Sequence, residues 1–274
     1  STQFRMHPDI RRFPSLHFYQ GRLEDGPGVD SSSRGARCHS RACLGPYVLW
    51  DVEDGSESHG AGHGLTNASE AAMACALYRH ARGSFPEDVG PGKVVVLTPY
   101  RNQVSELRRA FQNSLPPEEV GRIAFSTVDG FQGREMDVVI LSCVRASRNS
   151  RPGGGIGFLA DVRRMNVALT RARKSLWVLG HVQALERSPH WAALVRDARE
   201  RGVLYPAQRP YHDALRTAAA QPPAPPRLGS PEAASAPAPE APEVPRQAGG
   251  GGGVPRRGKC SARALRCRGP PAAC

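Results

Sequence analysis

Two arginines, Arg5 and Arg171, sit where a guanidinium could meet a phosphate instead of water. Arg5 lies in Gln3-Phe4-Arg5-Met6-His7-Pro8, next to an aromatic ring. Arg171 lies in Arg163-Arg164-Met165-Asn166-Val167-Ala168-Leu169-Thr170-Arg171-Ala172-Arg173, near the end of a helical pattern and off its polar stripe. The planar fork of donors on arginine matches phosphate oxygens, so either residue could reach across an interface to one. A third segment, Thr127-Val128-Asp129-Gly130-Phe131-Gln132-Gly133-Arg134-Glu135, is a polar, glycine-bearing loop leading into an apolar run. Such a loop can bring backbone amides and a carboxylate to a ligand. A fourth, Thr98-Pro99-Tyr100-Arg101, closes a strand-like run, and ligands in open α/β folds bind at the carboxyl ends of strands. Taken singly, each has a plain alternative: Arg5 and Arg171 as solvated or acid-paired surface charges, the loop as an ordinary Gly-Arg-Glu turn.

The elements that must position these residues follow from periodicity. Pro46 to Val52, Lys93 to Thr98, Met136 to Val144 and Ser175 to Gly180 are short apolar runs, the mark of strands buried on both faces. Asn67 to Arg82, Arg101 to Asn113, Asp161 to Ala172 and His190 to Arg201 read as helices, with Asn67 or Ser69 able to cap the first. On the third, Asn166, Thr170 and Arg173 form a polar stripe while Val167 and Leu169 face the core. Alternation of such strands and helices predicts an α/β fold, a parallel sheet flanked by helices, over residues 1–205. From Pro206 onward the chain is dense in Pro and Ala, carries five glycines at 249–253, and has one aromatic, Tyr211. That composition cannot offset chain entropy, so residues 206–274 are expected to be a disordered basic tail. Arg256 to Arg268 within it reads as a nucleic-acid or nuclear-import patch or as a solvated end.

Taken together and in order, QFRMHP, TPYRNQ, TVDGFQGRE and NVALTRAR resemble the motifs of the second RecA-like domain of superfamily 1B helicases. FPSLHFYQGRLEDGPGV (13–29), GFLADVRRMNVALTRARKSLWVLGH (157–181) and HWAALVRDARERG (190–202) are similar to the senataxin branch, and less closely to the nonsense-mediated-decay helicase. The resemblance covers about residues 1–205 and implies a RecA-like fold with ATP-driven translocation and unwinding. It implies that Arg5 and Arg171 are arginine fingers on the γ-phosphate, that Phe4 stacks on adenine where the family has Tyr, and that Glu135 stands near the ribose and the metal-bound water. Gln3 and Gly133 would also border the nucleotide. Thr98, Tyr100, Thr127 and Arg145 resemble residues along the nucleic-acid path. The implied ligands are ATP and Mg2+. The implied partners are RNA, single-stranded DNA or an RNA–DNA hybrid, together with the first RecA domain of the same protein. The implied setting is the nucleus, in transcription termination and R-loop removal, with the cytoplasm as an alternative.

The basic excess favours a polyanionic partner, with a merely soluble basic protein as the alternative. The formal net charge is +12, and ten of the basic residues against four acidic ones fall after Pro206, so half the excess lies in the tail. Seven scattered cysteines suit a reducing compartment. Cys38, His39 and Cys43 invite a zinc reading, but no second pair follows at ligand spacing, which favours a loop cysteine pair and no metal site. No apolar run approaches the ~18 residues of a membrane span. The sequence contains no G-x-x-x-x-G-K-[ST] and no Asp-Glu pair at the end of an apolar strand. The chain also begins Ser-Thr-Gln without Met. It is therefore expected to be the half of a helicase that lacks the phosphate loop, inactive by itself. The alternative is a nucleic-acid-binding or interaction module.

Overall fold

Four of the six strands in the main sheet are apolar at nearly every position, and alternation along them feeds two separate cores. In the computed structural model, which describes residues 1–59, 64–146 and 161–221, the chain order begins with β1 (Thr2–Gln3), α1 (Pro8–Tyr19), β2 (Glu24–Asp25) and β3 (Tyr47–Val52). It continues through β4 (Ser58–His59), β5 (Leu65–Thr66), α2 (Ala68–Ser84), β6 (Val94–Thr98), α3 (Arg101–Gln112) and α4 (Pro117–Val120). Then come β7 (Ala124–Thr127), β8 (Met136–Ser142), α5 (Val162–Leu169) and β9 (Ala172–Gly180). The last described elements are α6 (Val182–Leu185), α7 (Pro189–Glu200), β10 (Leu204–Ala207) and α8 (Tyr211–Ala219). The six-stranded sheet has the order β10-β3-β9-β8-β6-β7, and all its pairings are parallel.

Val48, Trp50, Val94, Val96, Val138, Ile140, Trp177 and Leu179 point into one core, beside Met73, Leu77, Leu107 and Phe111 of α2 and α3. Their neighbours Tyr47, Leu49, Val95, Leu97, Val139, Leu141, Leu176 and Val178 point into the other, beside Ile10, Met165, Trp191 and Leu194 of α1, α5 and α7. Successive strand side chains face opposite sides, so helices must cover both faces. The expected α/β architecture is therefore the observed one. Among the described residues no helix is long and apolar enough to cross a membrane.

Three expectations need correction. First, the folded part does not stop at residue 205. β10 runs to Ala207 and pairs with β3, and α8 sets Tyr211, Leu215 and Ala218 into the first core. Pro206 sits in an edge strand, where a missing N–H is tolerated, so a proline that reads as a boundary is an internal residue. The rest of the expected tail, including Arg256 to Arg268, lies outside the described residues. Second, the helix expected over 161–172 ends at Leu169. Arg173 belongs to β9, Val167 is only half-buried, and the core-facing residues are Met165, Ala168 and Leu169. Third, 8–19 is a helix that periodicity hides. Pro14 lies inside it, while Pro8 occupies its first turn and His7 caps it by accepting the Asp9 N–H.

Candidate nucleotide and nucleic-acid sites

The residues singled out in the sequence separate to opposite ends of the sheet. Met136 pairs with Ala172 at the start of β8 and β9, so Glu135 and Arg171 are neighbours at the amino end. The QFRMHP segment joins them there, because the His7 N–H donates to the Arg173 carbonyl at 2.8 Å. At the opposite end, Thr98 pairs with Thr127 where β6 and β7 close, and β8 closes one turn before Arg145. Only one of the two sets thus lies at the carboxyl ends of the strands.

At the amino end, the Arg5 Nε donates to Glu135 Oε2 at 2.5 Å and its Nη1 donates to the Thr170 carbonyl at 3.1 Å. Arg171 lies in the turn after α5. Its Nε donates to the Val167 carbonyl at 2.9 Å and its Nη2 to Thr170 Oγ1 at 3.1 Å. Part of what holds Arg171 is therefore capping: its guanidinium adds a donor to the Val167 carbonyl at the end of α5, which the Thr170 N–H and hydroxyl also approach at 3.3 Å. Arg173 approaches the other Glu135 oxygen at 3.8 Å. The Arg5 hydrogen bond, helped by the charges of Arg5, Arg173 and Arg34, holds the Glu135 carboxyl below its ordinary range. Burial, then the charge of Arg5, lowers the affinity of Arg171 for its proton. Arg173 also approaches Asp137 at 3.7 Å, as Lys174 does at 3.2 Å, so the cationic groups here outnumber the two carboxylates and leave a surplus of positive charge. That is the donor set for an anion with several oxygens.

Phe4 completes this end. Its ring is 61% exposed, and a methyl placed on Gly26 would come within 2.2 Å of it, so the ring lies flat on a glycine that has no room for a side chain. An aromatic face held open to solvent beside a cluster of cations is able to stack on a planar ligand. Gln3, by contrast, is turned inward. Its Oε1 accepts the N–H groups of Arg5 and Met6 at 2.8 and 2.7 Å, and its Nε2 donates to the Met6 carbonyl and to Asp25. Gln3 shapes the turn that carries Phe4 and Arg5, and its amide is spent within that turn and on Asp25. Gly133 takes a φ of +80° in the exposed loop before Glu135, a conformation glycine adopts without strain.

At the carboxyl end, Thr98 is fully buried and its hydroxyl accepts the Tyr100 N–H at 3.4 Å. Tyr100 is nearly buried and hydrogen-bonded to Arg145. Arg145 Nε donates to Glu57 Oε2 at 2.8 Å, with both side chains about one-eighth exposed. Thr127 is half-buried and accepts the Gly130 N–H at 3.1 Å, shaping the loop that follows. Side chains here hold a backbone surface in shape, and the Thr98 hydroxyl itself is out of reach of a ligand.

Three participants escaped the sequence reading. Arg34 donates from Nε to the Arg5 carbonyl and from Nη2 to the Phe4 carbonyl, each at 2.9 Å, and nothing in its Ser-rich surroundings signals this. Glu57 is the last of several acids before a short hairpin, and nothing marks it out from Glu53 or Asp54. Glu70 sits three residues after Asn67, which suggests a helix-capping pair. Asn67 does cap, accepting the Glu70 N–H at 3.0 Å, but the Glu70 carboxylate turns into the protein. Burial pushes that carboxyl up to about 8, against the pull of its Ser142 and Val144 donors.

The cysteine cluster has a structural role in the described residues. Cys38 and Cys43 are fully buried in the first core, and burial raises both thiols, Cys38 to about 12 and Cys43 to about 11. His39 is bonded instead to Ser175 Oγ at 3.0 Å and to the Ala36 N–H at 3.2 Å.

Residues 1–183 match the AAA domain family AAA_12. The chain is 41% identical over 205 residues to Helicase SEN1 of Saccharomyces cerevisiae, covering 74% of this chain and 9% of that protein. It is 34% identical over 252 residues to the Probable helicase senataxin of Mus musculus, covering 91% of this chain and 9% of that protein. It is 35% identical over 208 residues to the Putative regulator of nonsense transcripts 1 of Takifugu rubripes, covering 74% and 18% respectively. The chain thus spans less than a fifth of the length of these relatives.

Proposed function

The chain belongs to the senataxin-type superfamily 1B helicases, as their carboxyl-terminal AAA domain, and we propose that it forms the second half of an ATP-driven motor that moves along nucleic acid and separates duplexes. The observation that carries this reading is the arginine cluster beside an exposed ring at one end of the sheet. Phe4 on its glycine shelf fits an adenine, and Arg5 and Arg171 fit the terminal phosphates. Held by backbone carbonyls before any ligand arrives, these guanidiniums need little reorganisation as negative charge builds on the transferred phosphoryl oxygens. An arginine used that way speeds transfer by roughly 10³–10⁵. Glu135 keeps Arg5 oriented and is itself held ionised. ATP and Mg2+ would rest mainly on the first RecA domain, which supplies the phosphate loop and metal ligands that this sequence does not contain.

The opposite end, built on Thr98, Tyr100, Thr127 and Arg145, would follow the sugar–phosphate backbone without reading bases. We assign RNA, single-stranded DNA or RNA–DNA hybrids as substrates, and nuclear work in termination and R-loop removal as the setting, on the strength of the senataxin relationship. The test is ATP hydrolysis by this chain alone and by a protein that joins it to the first domain. Only the joined protein is expected to hydrolyse ATP, with stimulation by single strands. Nucleic-acid-stimulated hydrolysis by residues 1–274 alone would overturn the assignment. A joined protein that binds strands but never hydrolyses ATP would instead favour the binding-module reading.

A further inference from the structure

Glu70 is completely buried, and nothing in the nucleotide site uses it. The polar groups around its carboxyl group all present donors to it, and of them only the Ser142 hydroxyl can also accept. Ser142 Oγ reaches Oε2 at 2.6 Å, the Val144 N–H reaches Oε1 and Oε2 at 3.0 and 2.8 Å, and Asn67 Nδ2 reaches Oε1 at 3.3 Å. A second layer fixes those donors. Gln103 Nε2 donates to the Asn67 carbonyl at 3.0 Å and to Ser142 Oγ at 3.1 Å, while its Oε1 accepts the Asn67 N–H at 2.8 Å. Asn67 Nδ2 also donates to the Val144 carbonyl at 3.0 Å. The network therefore grips Val144 by both its N–H and its C=O.

Val144 needs that grip. Its φ is +74°, a left-handed conformation that a β-branched side chain strongly resists. The turn it makes carries the chain from β8 straight to Arg145, whose guanidinium meets Glu57 and Tyr100, and to Ala146, whose N–H donates to Glu57 at 3.0 Å. If Val144 relaxed to an extended or helical conformation, Arg145 would leave Glu57 and Tyr100, and the carboxyl-end surface would lose its shape. A buried carboxylate costs stability unless it is fully bonded, so a merely structural position would be as well filled by an apolar side chain.

We infer that Glu70 is a positioning residue for nucleic-acid engagement, holding Val144 in its left-handed turn so that Arg145 and Tyr100 keep the geometry that meets the strand. The inference rests on the proposed nucleic-acid path, but the hold on Val144 is measurable without it. Glu70→Gln keeps one acceptor oxygen but sets an amide N–H₂ in place of the other, against the Val144 N–H that reaches both, and it should release the turn. Glycine takes a positive φ freely, so adding Val144→Gly should restore the turn even without the carboxylate.

Two measurements on the full chain decide it. Amide hydrogen exchange at Val144, Arg145 and Ala146 should accelerate at least tenfold in Glu70→Gln and return most of the way in Glu70→Gln/Val144→Gly. Affinity for a labelled oligo(dT) or oligo(rU) should fall about tenfold in Glu70→Gln and about as much in Arg145→Ala, no further in their double variant, and recover with Val144→Gly. Unchanged exchange at 144–146, or exchange that Val144→Gly fails to rescue, overturns the inference. So does wild-type affinity in Glu70→Gln when exchange at the turn has risen. Wild-type protein that binds no strand at all contradicts the proposed nucleic-acid path, while the exchange arm still decides whether Glu70 holds the turn.

Discussion

At the amino end of the sheet Arg5 and Arg173 approach Glu135, Arg173 also approaches Asp137, and Arg5 and Arg171 donate to backbone carbonyls of the α5 end. At the carboxyl end the acids lead: Glu57 holds Arg145 and the Ala146 N–H, and Glu70 gathers the donors around Val144. The first arrangement carries surplus positive charge next to an open aromatic face. The second is close to charge-balanced, and most of its side chains are spent on shaping backbone. A site with surplus donors suits a small, highly charged ligand that arrives and leaves. A balanced, pre-shaped surface suits a long polymer gripped through its repeating backbone. One parallel sheet can serve both because its two ends are independent surfaces joined by rigid strands.

The sharpest way to break this comparison is at Arg5. In a protein containing both RecA domains, Arg5→Ala is expected to lower ATP turnover by roughly 10³ while leaving single-strand affinity within about twofold. Equal losses in turnover and strand affinity would show that the amino end serves both ligands. A second large effect concerns what holds the two ends in one body. A chain ending at residue 205 loses the second half of β10 and the burial of Tyr211 and Leu215, at a cost of roughly 3–6 kcal/mol. That is much of the stability of a typical domain, so thermal unfolding should show little or no cooperative transition, whereas a chain ending at 221 should melt like the whole one.

Phe4 offers a finer cut. Phe4→Ala should raise the KM for ATP about tenfold with little change in kcat, and Gly26→Ala should do the same by driving the ring off its shelf. A Gly26→Ala protein with normal KM would show that the ring does not need that seat. The smallest effect is a pH dependence. Burial, helped by the charge of His7, holds His39 near 4, below the 6.5 of the unfolded chain. Between those values the unfolded chain binds a proton that the folded one refuses, so stability should fall as pH drops from 6.5 towards 4. The loss is about 1–3 kcal/mol. His39→Gln should flatten that slope, as read by denaturant midpoints at several pH values.

What the sequence revealed depended on which signal a residue carried. Strands buried on both faces show as unbroken apolar runs, so β3, β6, β8 and β9 were legible to within a few residues. Elements with proline inside them, α1 with Pro14 and β10 with Pro206, were hidden because local chemistry argued against a structure that tertiary pairing enforces. The arginines were legible as a set only through the order of the motifs. Single-residue patterns could not show that Arg5 and Arg171 converge, since 166 positions separate them and they meet through long-range bonds from His7 to Arg173 and from Arg5 to Thr170. Gln3 and Thr98 were legible as motif members, but their inward orientation was not, because motif position does not report where a side chain points. Arg34, Glu57 and Glu70 act through backbone groups distant in sequence, and no spacing rule reaches them.

The central claim, that one end of the sheet serves ATP and the other the strand, comes down to two substitutions measured side by side. Arg171→Ala and Arg145→Ala would each be placed in the two-domain protein, with ATP turnover read at saturating RNA and RNA affinity read across a salt series. The account expects Arg171→Ala to lose turnover by several orders of magnitude with affinity and salt slope unchanged, and lysine at 171 to restore little of it. It expects Arg145→Ala to lose about tenfold in affinity while keeping near-normal turnover once RNA saturates. A normal turnover number for Arg171→Ala, or a turnover loss in Arg145→Ala that saturating RNA does not relieve, would contradict it.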